Sequence, residues 1–301
     1  MLDYASLNAQ YAHDGYLVVE GMFSGDQLER LRAVTTGFVA EAAADALEDA
    51  RFDIFTGNDG GRELRRIVDP EAVSVAYDAV MRHEPLVDLV QTLLGGTVRF
   101  DHGKLNFKPP SGGAAVEWHQ DWAFYPQTND DMLAVGVMIE DCTPENGPLM
   151  VVPGSHRGPV YDHHQDGAFV GGIHADELGR VIENAVPLTA PAGSVSIHHV
   201  RMLHGSTPNR SASNRPLLLF NYVAVDAFPI FHAYDWDEFN ARILRGEPTY
   251  SPRIEPVPVR VPNPTPKPKD GYSTGSLFEL QQQMDGALYA EATPDADVTY
   301  Q

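Results

Sequence analysis

The chain has 301 residues, 43% hydrophobic and 21% charged, with a formal net charge of −21 at pH 7. That apolar content provides a sizeable core and excludes global disorder. So acidic a surface repels phosphate backbones and anionic lipid, which excludes nucleic acid and membrane as partners. Cys142 is the only cysteine, so no intrachain disulfide can form. No apolar run approaches the roughly 18–20 residues that span a bilayer. The opening M-L-D-Y-A-S-L-N-A-Q-Y lacks the basic-then-apolar pattern of a signal peptide. A soluble cytoplasmic protein is expected, its oligomeric state open. One decorated domain is expected over 1–301, since all-β units of roughly 200–250 residues are commonly single domains. Within it, 1–96 form a strand and a helical layer, 97–230 a β core, and 231–301 a helix, a proline-rich segment and a terminal helix.

Residues 14–23, D-G-Y-L-V-V-E-G-M-F, read as a short buried strand entered through a glycine turn. Ser24 precedes Gln27 by three residues in the manner of a capping box, and Leu28, Leu31 and Phe38 give a helical stripe to about residue 47. Residues 72–81 and 86–94 form a helical pair separated at Pro85 and stopped by Gly95 and Gly96. From Thr97 the character changes, because T-V-R-F-D-H-G-K-L-N-F-K-P is rich in β-formers. Strand signals recur at 116–121, 132–140, 149–152, 195–199 and 217–225, bounded by Gly, Pro or Asn turns. Many short strands with punctuating turns predict a sandwich or jelly-roll barrel, covered here by helices. Residues 231–245 read as a short helix, and 252–268, with seven prolines, as extended polyproline structure. S-L-F-E at 276–279 opens a terminal helix through 284, and the last ten residues fray.

The stretch W-H-Q-D at 118–121 carries the chemistry. On a strand, side chains at i and i+2 leave the same face, so His119 and Asp121 converge on one point. His204, in H-G-S-T-P-N, is the best third ligand. Two histidines and one carboxylate on one face of an octahedron are the arrangement of non-haem Fe(II) oxygenases. A lone H-x-D arises by chance in many proteins, and a bland surface pair is the competing reading. The metal reading gains from Gly205 and Ser206, which follow His204, and from Arg215 at the mouth of an apolar strand. There a guanidinium and a hydroxyl can hold one carboxylate together.

His198 and His199, in S-V-S-I-H-H, compete with His204 but lack the G-S that follows it. His163 and His164 read as loop residues that border the pocket at most, His102 as a satisfied or edge histidine, and His156 as belonging to a turn. Lys104 and Lys108 either face the cavity or, on the plainer reading, pack their stems with their heads in solvent. Trp122, Phe124 and Tyr125 either roof the cavity or pack the core, and 228–234 form a lid or a packed turn.

The motifs N-F-K-P-P, W-H-Q-D, E-N-G-P-L-M-V-V-P-G-S-H-R-G and H-G-S-x-x-N, spread over 105–225, resemble the phytanoyl-CoA dioxygenase family of Fe(II)/2-oxoglutarate-dependent oxygenases, to which ectoine hydroxylases also belong. The opening D-G-Y-L-V-V-E-G-M-F looks like the family's usual start. The resemblance implies a mainly β fold with flanking helices around a double-stranded β-helix, the jelly-roll or cupin-like core. It implies that His119, Asp121 and His204 hold Fe(II), and that Arg215 and Ser206 hold the distal carboxylate of 2-oxoglutarate. Gln120 and Asn106 match positions that line the co-substrate site. With dioxygen, 2-oxoglutarate becomes succinate and carbon dioxide while a C–H bond is hydroxylated. Related halogenases carry a small residue where this chain has Asp121, so the resemblance implies hydroxylation, desaturation or another oxidation in place of halogenation.

The expected function is therefore oxidation of an unactivated C–H bond in a small-molecule metabolite such as a natural-product intermediate. The acidic surface offers no docking patch for a coenzyme A phosphate. A metal-dependent jelly-roll hydrolase or isomerase is the alternative enzyme, told apart by consumption of 2-oxoglutarate. A non-catalytic binding barrel is the remaining alternative.

Overall fold

The computed structural model describes residues 2–56, 61–110, 115–231, 233–264, 277–281 and 284–289. Its helices are α1 (Tyr4–Asp14), α2 (Asp26–Ala43), α3 (Pro70–Val73), α4 (Val75–Met81), α5 (Glu84–Leu93), α6 (Ala175–Leu178), α7 (Trp236–Ala241) and α8 (Leu277–Gln281). Its first seven strands are β1 (Tyr16–Val19), β2 (Phe52–Thr56), β3 (Arg62–Val68), β4 (Val98–Lys108), β5 (Val116–His119), β6 (Met132–Met138) and β7 (Leu149–Val151). The remainder are β8 (His164–Gln165), β9 (Ala168–Phe169), β10 (Val186–Leu188), β11 (Val195–His199), β12 (His204–Ser206), β13 (Arg215–Val223) and β14 (Ile243–Arg245). The major sheet runs β1-β11-β6-β13-β4-β3-β2 with β14 added to β4, and the smaller sheet runs β10-β7-β12-β5. Neighbours far apart in sequence but paired antiparallel make this the expected jelly roll.

Strand parity divides the major sheet into two faces. Leu105 and Phe107 of β4, Leu133, Val135 and Val137 of β6, and Leu218 and Phe220 of β13 face outward. They pack against Leu31, Tyr77, Met81, Leu86 and Val90 of the helical layer. The alternate residues, among them Lys104, Asn106, Lys108, Ala134, Leu217 and Leu219, line a cavity between the sheets. β6 is buried along its whole length because both of its faces are covered.

Several elements depart from the sequence reading. The unexpected α1 buries only Tyr11, so it offers no apolar stripe to detect. Ser24 does not cap α2; Gly25 stands at the N-cap and makes no side-chain bond. Pro85 does not separate a pair of helices but sits in the first turn of α5, where its missing N–H costs nothing. The hairpin of β2 and β3 extends the major sheet from within 1–96, where the only expected strand was the one at 14–23. The segment 231–245 holds β14 as well as α7.

The described portion of the proline-rich stretch, 252–264, forms no regular element. It packs over the core, with Pro258 O accepting from Trp122 Nε1 at 2.8 Å and Arg253 paired with Asp131 and Asp226. Residues 265–268, Ser276 of the second capping box and the last ten residues lie outside the described residues. Among the described residues no helix is long and apolar enough to cross a membrane.

Candidate metal centre

β5 and β12 are antiparallel neighbours with His204 opposite His119, which sets the two ring centroids 4.0 Å apart. Asp121 is not on the strand: β5 ends at His119, and Asp121 opens a 3₁₀ turn. Gln120 between them is extended (φ −122°, ψ 129°), so the same-face relation survives the end of the strand. His119, Asp121 and His204 each offer one potential ligand atom, and these atoms all lie within 4.8 Å of one another. Asp121 Oδ1 is 3.8 Å from His119 Nε2 and 3.9 Å from His204 Nε2.

Each imidazole is turned by its own chain. His119 Nδ1 donates to Glu117 O at 2.8 Å and His204 Nδ1 to Met202 O at 2.9 Å, because a carbonyl can only accept. This fixes the tautomers and leaves both Nε2 lone pairs aimed at a common point. Burial pushes the His119 pKa down to about 4 and holds His204 well below the ordinary histidine value. Burial opposes ionisation of Asp121, but neighbouring His198, the adjacent His204 and the Lys104 ammonium outweigh it and hold the carboxyl well below its usual range. Neutral imidazoles beside an ionised carboxylate are the ligand forms a divalent cation requires.

His198, on β11, brings Nε2 to 3.4 Å from Asp121 Oδ2 and its ring to 4.4 Å from that of His204. It stands beside the carboxylate, and neither of its ring nitrogens has a hydrogen-bond partner among the described residues. His163 Nε2 accepts from Gln120 N–H at 2.9 Å and supports the turn from behind. His156 and His199 are not among the cavity-lining residues.

At the other end of the cavity Arg215 of β13 lies opposite Lys108 of β4. Arg215 Nε donates to Asn146 O at 3.3 Å, its guanidinium also to Gly147 O, and Lys108 Nζ donates to Thr207 O. Gly147 has φ +77°, and a Cβ there would stand 2.5 Å from Thr207 O, so only glycine lets this loop settle on both cations. Burial lowers both pKa values, and the like charge of Arg215 lowers that of Lys108 further. Among the described residues neither cation pairs with a carboxylate. Two buried cations satisfied only by carbonyls are suited to receiving an anion, since uncompensated charge is costly to bury. Ser206 lines the same cavity of ≈ 70 Å³, as does Asn106, whose buried Oδ1 has no partner.

Gln120 departs from expectation. It is 0% exposed, Nε2 donates to Pro159 O (3.0 Å) and Arg201 O (2.9 Å), and Oε1 accepts from Tyr161 N–H (2.9 Å). It pins three loop segments together and does not line the cavity. Lys104 and Lys108 also depart from the plainer reading, facing the cavity and not solvent. Their signal was parity: both share a strand face with Asn106. Trp122 is core, Phe124 sets its ring edge-on to His119 at 5.9 Å, and Tyr125 packs on His102 at 4.4 Å. Phe228 packs with Tyr234, Trp236 and Phe239, which makes 228–231 a packed turn.

The profile of the family described as "Phytanoyl-CoA dioxygenase (PhyH)" matches residues 11–217. The chain belongs to the phytanoyl-CoA dioxygenase family. Phytanoyl-CoA dioxygenase family relatives include a Stutzerimonas stutzeri protein named "Probable alpha-ketoglutarate-dependent hypophosphite dioxygenase". It is 35% identical over 294 residues, covering 95% of this chain and 100% of its own. L-proline trans-4-hydroxylase of Streptomyces griseoviridis is 30% identical over 240 residues, covering 73% and 86%. The crystal structure of EctD from S. alaskensis with bound Fe superimposes with a TM-score of 0.64 at 28% identity, covering 85% and 88%. The same enzyme with 2-oxoglutarate and 5-hydroxyectoine gives 0.63 at 25% identity, covering 85% and 88%. As a phytanoyl-CoA dioxygenase family member, the protein is an Fe(II)/2-oxoglutarate-dependent oxygenase of small molecules.

Proposed function

We propose that His119, Asp121 and His204 hold Fe(II), that Arg215, Lys108 and Ser206 hold the distal carboxylate of 2-oxoglutarate, and that a small polar molecule is oxidised beside them. One observation carries this reading. Two imidazoles presenting Nε2, an ionised carboxylate and a pair of buried cations without a carboxylate share one cavity. The donor set fits a non-haem iron, and the cation pair fits a diacid. With dioxygen, the bound Fe(II) and 2-oxoglutarate supply the oxidation: one oxygen atom leaves in succinate, the other converts a substrate X–H bond to X–OH, and carbon dioxide departs.

The chain's own residues do the positioning. The Glu117 and Met202 carbonyls keep each Nε2 free to ligate, and the Asn146 and Gly147 carbonyls orient the Arg215 fork. Asp121 fills the position that a halide would need, which favours hydroxyl transfer. The substrates in the relatives' names, hypophosphite, L-proline and ectoine, are compact and polar, and that supports the same class here over a bulky acyl thioester. Anaerobic Fe(II) titration followed by metal analysis tests the ligand set: the native protein should retain the ion through gel filtration, and His119→Ala and His204→Ala should each lose it. Undiminished retention by both variants would remove these histidines from the ligand set.

A further inference from the structure

One cation in the cavity has no role in the arrangement just proposed. Lys104 lies on β4 four residues before Lys108 and on the same strand face, about 13 Å back along the strand from the Arg215 end. In the register of β4 and β13, Lys108 stands opposite Arg215 and Lys104 opposite Leu219, toward the level of Asn221 and Ala134, opposite which β11 carries His198. Lys104 therefore stands at the metal end. Among the described residues its half-buried ammonium makes no hydrogen bond and no ion pair.

The charges of the cavity do not balance without a further anion. Its lining carries three cations, Lys104, Lys108 and Arg215, against one carboxylate, Asp121. A divalent metal and a doubly charged co-substrate cancel each other, so the positive excess persists after both have bound. An unpaired ammonium beside a metal dication is repelled unless an anion lies between them. Both carboxylates of 2-oxoglutarate are already committed, one at the metal and one at Arg215.

Resting on the oxygenase reading above, we propose that Lys104 binds the anionic group of the primary substrate, and that this substrate is a compact oxyanion. A phosphorus oxyacid and a short carboxylate present the same recognition chemistry, a small delocalised negative charge that the ammonium meets. The Asn106 side chain beside it adds an uncharged hydrogen-bonding group. Held there, the anion places its X–H bond between Lys104 and the metal.

The test is calorimetric titration of the anaerobic protein loaded with Fe(II) and 2-oxoglutarate, using hypophosphite, butyrate and the uncharged isostere butyramide. The native protein should bind at least one of the two anions and not butyramide, and which anion binds separates the phosphorus source from the carbon source. Lys104→Met should weaken that anion at least about tenfold, as loss of a buried charge partner does, and Lys104→Arg should restore most of it. The 2-oxoglutarate affinity of Lys104→Met should stay within about twofold of native, as for independent sites, which also verifies that the variant is folded. The inference is overturned if the loaded protein binds neither anion, if Lys104→Met binds it undiminished, or if that variant weakens 2-oxoglutarate instead. A native protein that binds no 2-oxoglutarate would overturn the oxygenase reading itself, a result distinct from the other three.

Discussion

Arg215 and Lys108 illustrate how one residue acquires meaning from its cross-strand neighbour. Each alone is a buried cation with a carbonyl partner; side by side, their like charges require an anion. Arg215→Ala should raise the 2-oxoglutarate requirement at least about 30-fold, since truncating one partner of a buried charge pair costs about 2–5 kcal/mol. Steady-state kinetics against 2-oxoglutarate measure it, and an unchanged KM would move the role elsewhere. The triad was legible in the sequence because its logic is local: an H-x-D at extended spacing, then a histidine followed by G-S. For Lys104, Lys108 and His198 the sequence left an inward placement open without deciding it, because that depends on which strand face turns inward and on what the neighbouring strand sets against them. Asn106, once placed inward, already implied both lysines by parity, and that inference was available.

At the scale of elements, the centre rests on a strand that ends one residue too early for its own chemistry. β5 stops at His119, and the extended Gln120 carries the chain to Asp121. Gln120 is held by three side-chain hydrogen bonds to Pro159, Arg201 and Tyr161. Gln120→Ala should therefore lower stability by about 2–4 kcal/mol, roughly 1 kcal/mol for each bond plus the cost of stranded partners. Its KM for 2-oxoglutarate should hardly change. Denaturant unfolding beside kinetics decides between these; a large KM effect at unchanged stability would return Gln120 to the co-substrate site. The core strands β4, β6, β11 and β13 were legible from their runs of β-formers. The hairpin of β2 and β3 was not, because R-E-L-R-R-I-V interleaves charge with apolar residues and mimics a surface helix. Nor was α1, which leaves almost all of its residues outside the core.

For the whole molecule, buried histidines couple folding to pH. Burial is the main cause holding His163 and His199 down to about 3, whereas in the unfolded chain they titrate near 6.5. Between those values the unfolded chain takes up protons that the folded chain refuses. Their contribution is therefore fully present above about 6.5 and is lost as pH falls toward 3. The Tm of the metal-free protein should drop by at least about 5 °C between roughly pH 7 and pH 5. A flat profile over that range would show that these rings protonate freely in the folded state.

The jelly roll, the acidic exterior and the cation-lined cavity together support one central claim, that the cavity couples 2-oxoglutarate cleavage to dioxygen reduction at His119, Asp121 and His204. The most direct measurement is mass analysis of succinate formed from 2-oxoglutarate by the Fe(II)-loaded protein under isotopically heavy dioxygen. The account predicts succinate carrying a single heavy oxygen atom, formed by the native protein and absent with His119→Ala. Succinate formation no greater than that of His119→Ala, or succinate without the heavy atom, would contradict it.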